Sequence, residues 1–459
     1  MASSTGRWPG FIARFRLVRP VLLACALGAS LPLSAPVRAA GTETAVPDLT
    51  ARAPADLRPF YTARAGRPLW MDASGHTRPA LDLLLRQVAE ARIDSVRPSQ
   101  LKLKLAALRR ALDQAQEGDA GSAARIELAA SRLFAGWVQA LREAPAAPMT
   151  YESDALAPVA PTAASALAAA AASPSLEHYL AAMGWMHPFY APLRAALLEW
   201  GRPDAERRRL ALNLERVRAL PANPAERYVL VDAAGARLWM MEQGRAVDSM
   251  KVVVGKIDNQ TPMMAGFIRY ATLNPYWNVP DDLVQQKVAR NALDKGPAYL
   301  KASGYQVFSG WEADAVPVDP ASVDWAAVAS GLVQVHVRQL PGGENFMGRV
   351  KFEFPNPLGI YLHDTPAKDL MLKDERQYSS GCVRLEDADR LGRWLMGKPL
   401  PRRVKGPEQR MDLPEPVPVY ITYLTALPDP QGKSAAIAFQ SDPYGRDHTG
   451  PSHFASALR

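Results

Sequence analysis

Cysteine and long apolar runs are both scarce in this chain of 459 residues. There are two cysteines, Cys25 and Cys382, so the chain can form at most one internal disulfide. No stretch reaches 18 apolar residues, which excludes a helix that crosses a bilayer. The chain does have a basic balance, with a formal net charge of +8.

The first 39 residues have the pattern of a secretory signal peptide. A basic stretch precedes the apolar run from Val21 to Leu33. Val37-Arg38-Ala39 then has small or aliphatic residues at the two positions that a signal peptidase recognises. We therefore expect residues 1–39 to be removed on export, and Cys25 with them. A second interpretation makes Cys25 the lipidated cysteine of a lipoprotein, although only Val21 to Leu23 form the apolar run before it.

Composition favours a globular protein, since 48% of the residues are hydrophobic and 22% are charged. The length is typical of two or three domains. The basic residues are scattered and form no nucleic-acid-binding motif, so we expect no nucleic-acid partner. In an exported protein, an anionic polymer of the cell envelope is the more natural partner for this charge.

Helical periodicity covers most of the first half of the chain. In "RPALDLLLRQVAEARI" (78–93), apolar residues recur at the spacing of one helix face. Such stripes predict a helical scaffold domain over residues 40–142. Further helix is predicted over residues 176–224, which would complete the scaffold. The Ala/Pro-rich residues 143–175 between them predict a linker or a loosely packed insertion.

The pattern changes to short strands from residue 225. Ala234-Gly235 and Gln243-Gly244 separate apolar runs and predict hairpin turns, so residues 225–447 are expected to form a mostly β domain. Residues 281–330 interrupt this domain with helical and polar segments, which is typical of a lid. Residues 448–459 are expected to be a disordered tail. The predicted fold class is therefore α+β, with a helical scaffold before a mostly β domain that carries a partly helical lid.

Cys382 lies in "YSSGCVRL", residues 378–385. A single thiol in an exported protein is an intermolecular bridge, a reactive group or a buried small hydrophobe. Ser379, Ser380 and Gly381 are turn formers, which argues against burial in a core. A helix is predicted soon after the turn, and the dipole at its N-terminus would favour a thiolate. We therefore predict a reactive Cys382.

A reactive thiol needs a basic or positive partner near neutral pH. The β-rich part of the chain contains His336 and His363. His363 ends the apolar strand of "GIYLHDTP", and strand ends often display catalytic groups. We therefore predict His363 as the base. His336 lies within "VQVHVRQ" and is either structural or part of the substrate site; metal binding by His336, His363 and Cys382 lacks ligand-type spacing.

"IYLHDTP" followed by "YSSGCVRL" resembles the His and Ser-x-Gly-Cys signature of L,D-transpeptidases with a YkuD-type catalytic domain. The chain is most similar to large Gram-negative members that have a helical scaffold domain and a lid insertion. Other matching stretches are "RYVLVD", "VVVGKIDNQTP", "NPYWNVP", "GRVKFEFPNPLGIYLHDTP" and "DPYGRD". The resemblance covers about residues 207–447 well. The small peptidoglycan-binding module that is usual in these members is not found in the sequence.

The resemblance implies roles for particular residues. Cys382 would be the nucleophile, His363 the general base and acid, and the backbone of Gly381 with that of Cys382 an oxyanion hole. Ser379 would orient the site, and Arg384 would either bind a substrate carboxylate or brace the loop. The candidates for the substrate-binding cleft, for which strand packing and turn formation are alternative roles, are Tyr276, Trp277, Asn278, His336 and Asn356.

The resemblance also implies a function: cross-linking of peptidoglycan stem peptides in the periplasm through a thioester on Cys382. The expected product is a 3→3 cross-link, and a 1→3 cross-link is the alternative. No metal or organic cofactor is implied, and carbapenems are expected to acylate Cys382. Other cell-wall synthesis proteins are further candidate partners. The alternatives are an L,D-carboxypeptidase, in which water resolves the same intermediate, and a non-catalytic cell-wall scaffold.

Overall fold

The computed structural model describes residues 48–448 except positions 73, 95, 97, 117, 118, 144, 146 and 223. The predicted signal peptide with Cys25, and the predicted tail from residue 449 onward, lie outside the described residues. No helix of the described part has the length and apolar character needed to cross a membrane. The α-helices are α1 (Arg58–Ala63), α2 (Pro79–Ala89), α3 (Pro98–Asp113), α4 (Ala120–Arg142), α5 (Ala163–Ala172), α6 (Leu176–Ala181), α7 (Tyr190–Leu198), α8 (Asp204–Arg218), α9 (Asp281–Leu283), α10 (Arg290–Lys295), α11 (Ala298–Ala302), α12 (Trp325–Ala329) and α13 (Ala388–Met396).

The β-strands follow α8, apart from one short strand that precedes α5. They are β1 (Thr150–Tyr151), β2 (Arg227–Asp232), β3 (Arg237–Glu242), β4 (Arg245–Gly255), β5 (Met264–Leu273), β6 (Trp277–Asn278), β7 (Tyr305–Phe308), β8 (Pro317–Val318), β9 (His336–Gln339), β10 (Val350–Glu353), β11 (Leu362–His363), β12 (Gln377–Ser379), β13 (Val383–Leu385), β14 (Gln409–Thr422), β15 (Ala426–Pro428) and β16 (Ile437–Phe439).

Most of the strands close into a barrel. Strand β5 pairs with β10 on one edge and with β14 on the other, so the order β5-β10-β11-β13-β4-β3-β2-β14 returns to its start. Closure removes free sheet edges. The turn Gln243-Gly244 joins β3 to β4 with φ of 49° and 78°, and positive φ at both turn positions suits a two-residue hairpin. The hairpin predicted there is confirmed.

The helices cover the outer face of β2, β3 and β14. In β2, Tyr228 and Leu230 pack in the core of the helical part, whereas Val229 and Val231 pack inside the barrel. A strand buried on both faces needs apolar residues at successive positions rather than in alternation, which accounts for "YVLV". The predicted layout, a helical scaffold followed by a mostly β domain, is confirmed.

Residues 143–175 differ from the predicted linker. Their alanines form α5, which packs against α1 and α4 with Leu167 fully buried. Thr162 caps this helix by accepting a hydrogen bond from the Ser165 N–H. Strand β1 extends the barrel sheet by pairing with Met264 and Ala265. Alanine has the highest helix propensity and its small side chain permits close packing, so the composition is that of a packed helix.

The lid contains helical segments within residues 281–330, as predicted, but it also contains strands and extends beyond those bounds. Strands β6, β9, β7 and β8 form a separate antiparallel sheet of four strands, which we call the lid sheet. Strand β9, which carries His336, belongs to this sheet and not to the barrel. Together with helices α9 to α12, the lid sheet encloses its own core, which includes Val307, Trp325 and Val337.

A buried ion pair joins α7 to the turn after α2. The Asp94 carboxylate is 1% exposed and accepts from Arg194 Nε at 3.0 Å and from the Tyr190 hydroxyl at 2.9 Å. In Arg194→Met, this carboxylate loses its cation while most of the side-chain packing stays. We expect the free energy of unfolding to fall by about 3–5 kcal/mol, measured by urea denaturation.

The exposed pair Arg125–Asp119 provides the control. Arg125→Met is expected to lower the free energy of unfolding by less than about 1 kcal/mol, because solvent screens exposed ion pairs. Equal losses in Arg194→Met and Arg125→Met would contradict the assignment of a buried, structurally required pair.

Candidate active site

Two short parallel strands and the turn before one of them carry the predicted catalytic residues. In the pairing of β11 with β13, Leu362 lies opposite Val383 and His363 lies opposite Arg384. Leu362 and Val383 are fully buried in the barrel core. Because side chains alternate along a strand, Cys382, His363 and Arg384 share the opposite face.

These side chains line a cleft of about 480 Å³ between the barrel and the lid. The residues that the barrel contributes include Tyr361, His363, Cys382 and Arg384, and those of the lid include Trp277, Asn278, Asp282 and Leu283. A larger hollow, of about 750 Å³, lies beside α6 and α7, but Glu199 is the one ionisable residue in its lining. The cleft that holds the thiol is therefore the candidate active site.

Cys382 occupies the turn between β12 and β13, and its side chain is partly exposed. The sulfur lies 3.6 Å from the Gly359 carbonyl oxygen, which accepts its hydrogen bond. Burial raises the pKa of the Cys382 thiol, and this effect outweighs a backbone hydrogen bond from Tyr361 and the charge of Arg384, which lower it. The prediction that a helix N-terminus favours a thiolate is wrong, because β13 lies between the turn and α13. This raised pKa favours the thiol over the thiolate at neutral pH.

His363 is almost fully buried, and its Nδ1 lies 2.6 Å from the Asp364 carbonyl oxygen. A carbonyl oxygen only accepts, so we assign the proton of the neutral ring to Nδ1 and leave the lone pair on Nε2. Burial, followed by the charge of Arg384, lowers the pKa of His363 to about 3. The ring is therefore neutral at pH 7, and its Nε2 can accept a proton.

Ser379 and Gly381 shape the turn that carries the thiol. The Ser379 hydroxyl donates to the Cys382 carbonyl oxygen at 2.6 Å and accepts from the Gly381 N–H at 3.2 Å. Gly381 has a φ of 114°, and a Cβ there would lie 3.1 Å from the Ile360 side chain. The Gly381 N–H is therefore already hydrogen-bonded, so it is not free to act as the predicted oxyanion-hole donor. The Cys382 N–H makes no hydrogen bond to any residue that the structure describes, so it is the available donor.

Thr261 fixes the direction of that N–H, although the sequence did not single it out. The Thr261 side chain is fully buried, and its hydroxyl donates to the Gly381 carbonyl oxygen at 2.7 Å and accepts from the Gly255 N–H at 2.8 Å. The Gly381 C=O and the Cys382 N–H belong to one planar trans peptide and point in opposite directions. Holding the carbonyl therefore orients the N–H of the nucleophile.

The stretch "DPYGRD" holds the loop of Thr261 in place. The Tyr444 hydroxyl donates to the Gly255 carbonyl oxygen at 2.6 Å and accepts from the Thr261 N–H at 3.3 Å. Arg446 donates to the Thr261 carbonyl oxygen at 3.2 Å and to the Gln260 side chain at 2.8 Å. These residues lie in "VVVGKIDNQTP" and "DPYGRD", two of the stretches that carry the family resemblance. The two stretches are far apart in the chain, so no local pattern predicts their contact.

Comparison with known families agrees with this geometry. Residues 226–421 match the L,D-transpeptidase catalytic domain, YkuD, and residues 55–197 match the Scaffold domain. The chain carries a YkuD L,D-transpeptidase catalytic domain. The resemblance seen in the sequence is thereby confirmed, and so is the scaffold domain before the catalytic domain.

One curated relative matches part of the chain. It is a Haemophilus influenzae protein with the name "Putative L,D-transpeptidase", 31% identical over 188 residues. The match covers 41% of this chain and 37% of the relative, so the chain spans well under half of that protein's length.

Two solved structures show weaker likeness. The Ldtfm–avibactam carbamoyl enzyme is 13% identical with a TM-score of 0.21, over 44% of this chain and 51% of that chain. An L,D-transpeptidase from Mycobacterium smegmatis is 12% identical with a TM-score of 0.21, over 43% and 58%.

The other residues predicted for the YkuD cleft fall into two groups. Trp277 and Asn278 line the cleft, whereas Tyr276, His336 and Asn356 do not. Asn356 donates to the Phe354 and Ile360 carbonyl oxygens at 2.8 and 2.9 Å, so it shapes the loop between β10 and β11. His336 lies in the lid sheet, where its Nε2 is 3.0 Å from Asn278 Oδ1.

A metal site built from His336, His363 and Cys382 does not form, because His336 is outside the cleft lining. Over the described residues, no group of three or more His, Cys, Asp and Glu side chains is placed to hold a metal ion.

Tyr361 is a cleft residue that the sequence could have indicated. It precedes His363 by two positions, so strand alternation places both on the same face. Lys351 lies opposite His363 on β10, and its ammonium is 4.8 Å from the centre of the Tyr361 ring. Lys351 and Arg384 therefore flank His363 with positive charge on its two neighbouring strands.

Arg384 is the cation of the YkuD cleft without a protein partner. Its Nε is buried and makes no hydrogen bond, and none of the hydrogen bonds or ion pairs among the described residues involves its guanidinium. A side chain that braced the loop would be bonded to it. The geometry therefore favours an anion in the substrate as the partner of Arg384.

Proposed function

We propose that the protein is a peptidoglycan L,D-transpeptidase that works through a thioester on Cys382. The observation that carries the proposal is the shared face of β11 and β13 in a YkuD domain. It places a partly exposed thiol and a neutral imidazole in one cleft. Thiol acyl transfer by these groups needs no metal or organic cofactor.

The first step would transfer the acyl group of a stem peptide to Cys382. His363 Nε2 takes the thiol proton as the sulfur attacks the carbonyl carbon of the third residue, a diaminopimelate. The Cys382 N–H stabilises the negative charge that develops on the carbonyl oxygen. The C–N bond to the terminal D-Ala then breaks, and the protonated His363 gives its proton to the leaving amine.

The second step would release the acyl group to another stem. The side-chain amine of that stem attacks the thioester carbon, His363 accepts the amine proton, and the sulfur leaves to be protonated again. The product is a 3→3 cross-link. Donation from the first residue would give 1→3 links by the same chemistry, and attack by water would make the protein an L,D-carboxypeptidase.

The rest of the proposal concerns location and inhibitors. The signal-peptide pattern supports export to the periplasm, where peptidoglycan stem peptides are present. The net charge of +8 would favour contact with an anionic envelope polymer. Carbapenems are proposed to acylate Cys382, because they present a reactive carbonyl to the same thiol. Other cell-wall synthesis proteins are proposed as partners on the strength of the resemblance alone.

Arg384→Gln tests the proposed carboxylate contact. The substitution keeps a polar side chain and removes the charge, so we expect KM for the donor to rise about tenfold or more while kcat changes less. Steady-state kinetics of cross-linking would give both values. An unchanged KM with a large loss of stability would instead assign Arg384 to bracing the loop.

Thr261→Val tests the orientation of the Cys382 N–H. Valine keeps the shape of threonine and removes the hydroxyl, so the Gly381–Cys382 peptide loses its anchor. We expect kcat to fall about 10²-fold, as when an oxyanion-hole donor is lost, with little change in KM. Thr261→Ser should recover most of kcat. A fall in kcat that Thr261→Ser does not reverse would argue against the hydroxyl and for packing as the cause.

The product assay decides between the proposed activities. The protein without residues 1–39 is incubated with disaccharide-tetrapeptide, and the products are analysed by mass spectrometry beside Cys382→Ala. A cross-linked dimer from the unmodified protein alone would support transpeptidation, and fragmentation would separate 3→3 from 1→3 links. Tripeptide without dimer would support the carboxypeptidase, and no product would favour the non-catalytic scaffold.

A further inference from the structure

The lid sheet has one face that is buried in the lid core and one face whose side chains are half-buried. Val337 of β9 and Val307 of β7 pack in the lid core. His336 and Arg338 alternate with Val337 along β9, so they lie on the other face. Phe308 lies opposite His336 in the pairing of β7 with β9 and shares that face.

Five side chains form a continuous row along this face. We call the set Tyr276, Arg338, Phe308, His336 and Trp311 the lid row. The Arg338 guanidinium carbon lies 4.2 Å from the ring centre of Tyr276 and 4.6 Å from that of Phe308. His336 stacks between Phe308 and Trp311, with ring centres 5.5 and 3.9 Å away. Trp311, at the end of the row, is 52% exposed.

The lid row reaches the edge of the cleft that holds Cys382. Asn278 lines the cleft and accepts a hydrogen bond from His336 Nε2 at 3.0 Å. A polymer attached to a peptide bound in the cleft would therefore meet the lid row on leaving it. Exposed aromatic side chains in a contiguous group are typical of binding surfaces.

The chemistry of the row suits a saccharide. Sugar rings present C–H faces that stack on aromatic rings and hydroxyl groups that bond to amides such as Asn278 and Gln306. A polyanion such as a nucleic acid would meet one cation in the row, Arg338, and a carboxylate at its end, since Trp311 Nε1 donates to Asp281 at 3.1 Å. An apolar helix or a lipid tail would require a continuous apolar surface, which the row lacks because Arg338 and His336 lie between its aromatic rings.

We propose that the lid row binds the glycan strand from which the stem peptide extends, with a sugar ring stacked on the exposed part of Trp311. The inference rests on the proposed function, because it takes a peptidoglycan stem peptide as the occupant of the cleft. On this proposal, the lid helps the protein to select acyl donors that are attached to a glycan strand.

Trp311→Ala tests the proposal with two donors. We expect kcat/KM for disaccharide-tetrapeptide, or for longer glycan, to fall about 5–10-fold, the size of one lost stacking contact. With free tetrapeptide, which has no sugar, kcat/KM should stay within about twofold. Trp200→Ala is the matched control, because Trp200 is a fully exposed tryptophan in the turn after α7. It should leave both donors unaffected.

Binding of glycan strands stripped of their peptides separates this proposal from the proposed function. The protein is Cys382→Ala, and calorimetry should show binding that Trp311→Ala weakens and Trp200→Ala does not. This result would support the lid row even if no donor were turned over. Equal losses with both donors, no loss with either, or glycan binding that ignores Trp311 would each overturn the proposal.

Discussion

Cys382→Ala is expected to lose cross-linking activity by at least about 10⁴-fold, because it removes the one thiol of the described residues from the cleft that His363 also lines. The serine and tyrosine hydroxyls in the same lining are much harder to deprotonate than a thiol. The free energy of unfolding should change by less than about 1 kcal/mol. The side chain is partly exposed, and the hydrogen bond that it donates is a long contact of 3.6 Å to the Gly359 carbonyl oxygen. Product analysis and urea denaturation of the same preparations would measure the two effects.

Cys382→Ser tests whether a hydroxyl can replace the thiol as the nucleophile. A hydroxyl is much harder to deprotonate than a thiol, and the depressed pKa of His363, about 3, makes it a weak base. We therefore expect the serine variant to be nearly as inactive as the alanine variant, although it keeps the hydrogen-bonding group. Appreciable activity in Cys382→Ser would contradict nucleophilic attack by the thiol as the difficult step.

His363→Asn is expected to have the second largest effect, a fall in kcat of about 10²–10⁴-fold. The asparagine amide can still donate to the Asp364 carbonyl oxygen in place of Nδ1, so the local fold should persist. The variant lacks the basic Nε2, so it depends on thiolate that forms without a side-chain base to take the proton. Its residual rate should therefore rise steeply with pH in the alkaline range, because burial raises the pKa of the Cys382 thiol.

The unmodified protein should show a different pH profile. His363 has a pKa of about 3, so it stays neutral and able to accept a proton throughout the range from pH 5 to 8. The alkylation rate of Cys382 by iodoacetamide should then rise steadily with pH through this range, as the thiolate fraction rises, with no bend near pH 6.5. A bend there would mean that His363 titrates with the pKa of an exposed histidine, and it would contradict the buried, neutral base.

Local sequence patterns predicted the features of the site that depend on neighbouring residues. The place of His363 at the end of the apolar run in "GIYLHDTP" and the turn formers of "SSGC" were enough to indicate His363 and Cys382. The hairpin at Gln243-Gly244 followed from its turn residues in the same way. These features depend on steric preferences within a few residues.

Long-range contacts explain what the sequence did not predict. Thr261 acts on Gly381 across 120 positions of the chain, and nothing near either residue signals the contact. Burial, which raises the thiol pKa and lowers the imidazole pKa, arises from the assembled barrel and lid. His336 was placed in the β-rich part of the chain, but which sheet its strand joins depends on pairing with β7 across the lid.

The central claim is that Cys382 carries the acyl group, and intact-protein mass spectrometry tests it most directly. The protein is mixed with tetrapeptide donor, quenched in acid within the first turnovers and weighed before and after proteolysis. The thioester mechanism predicts a gain equal to the donor minus one alanine, on the peptide that contains Cys382 and absent from Cys382→Ala. Cross-linked product without that adduct, formed equally well by Cys382→Ala, would contradict it.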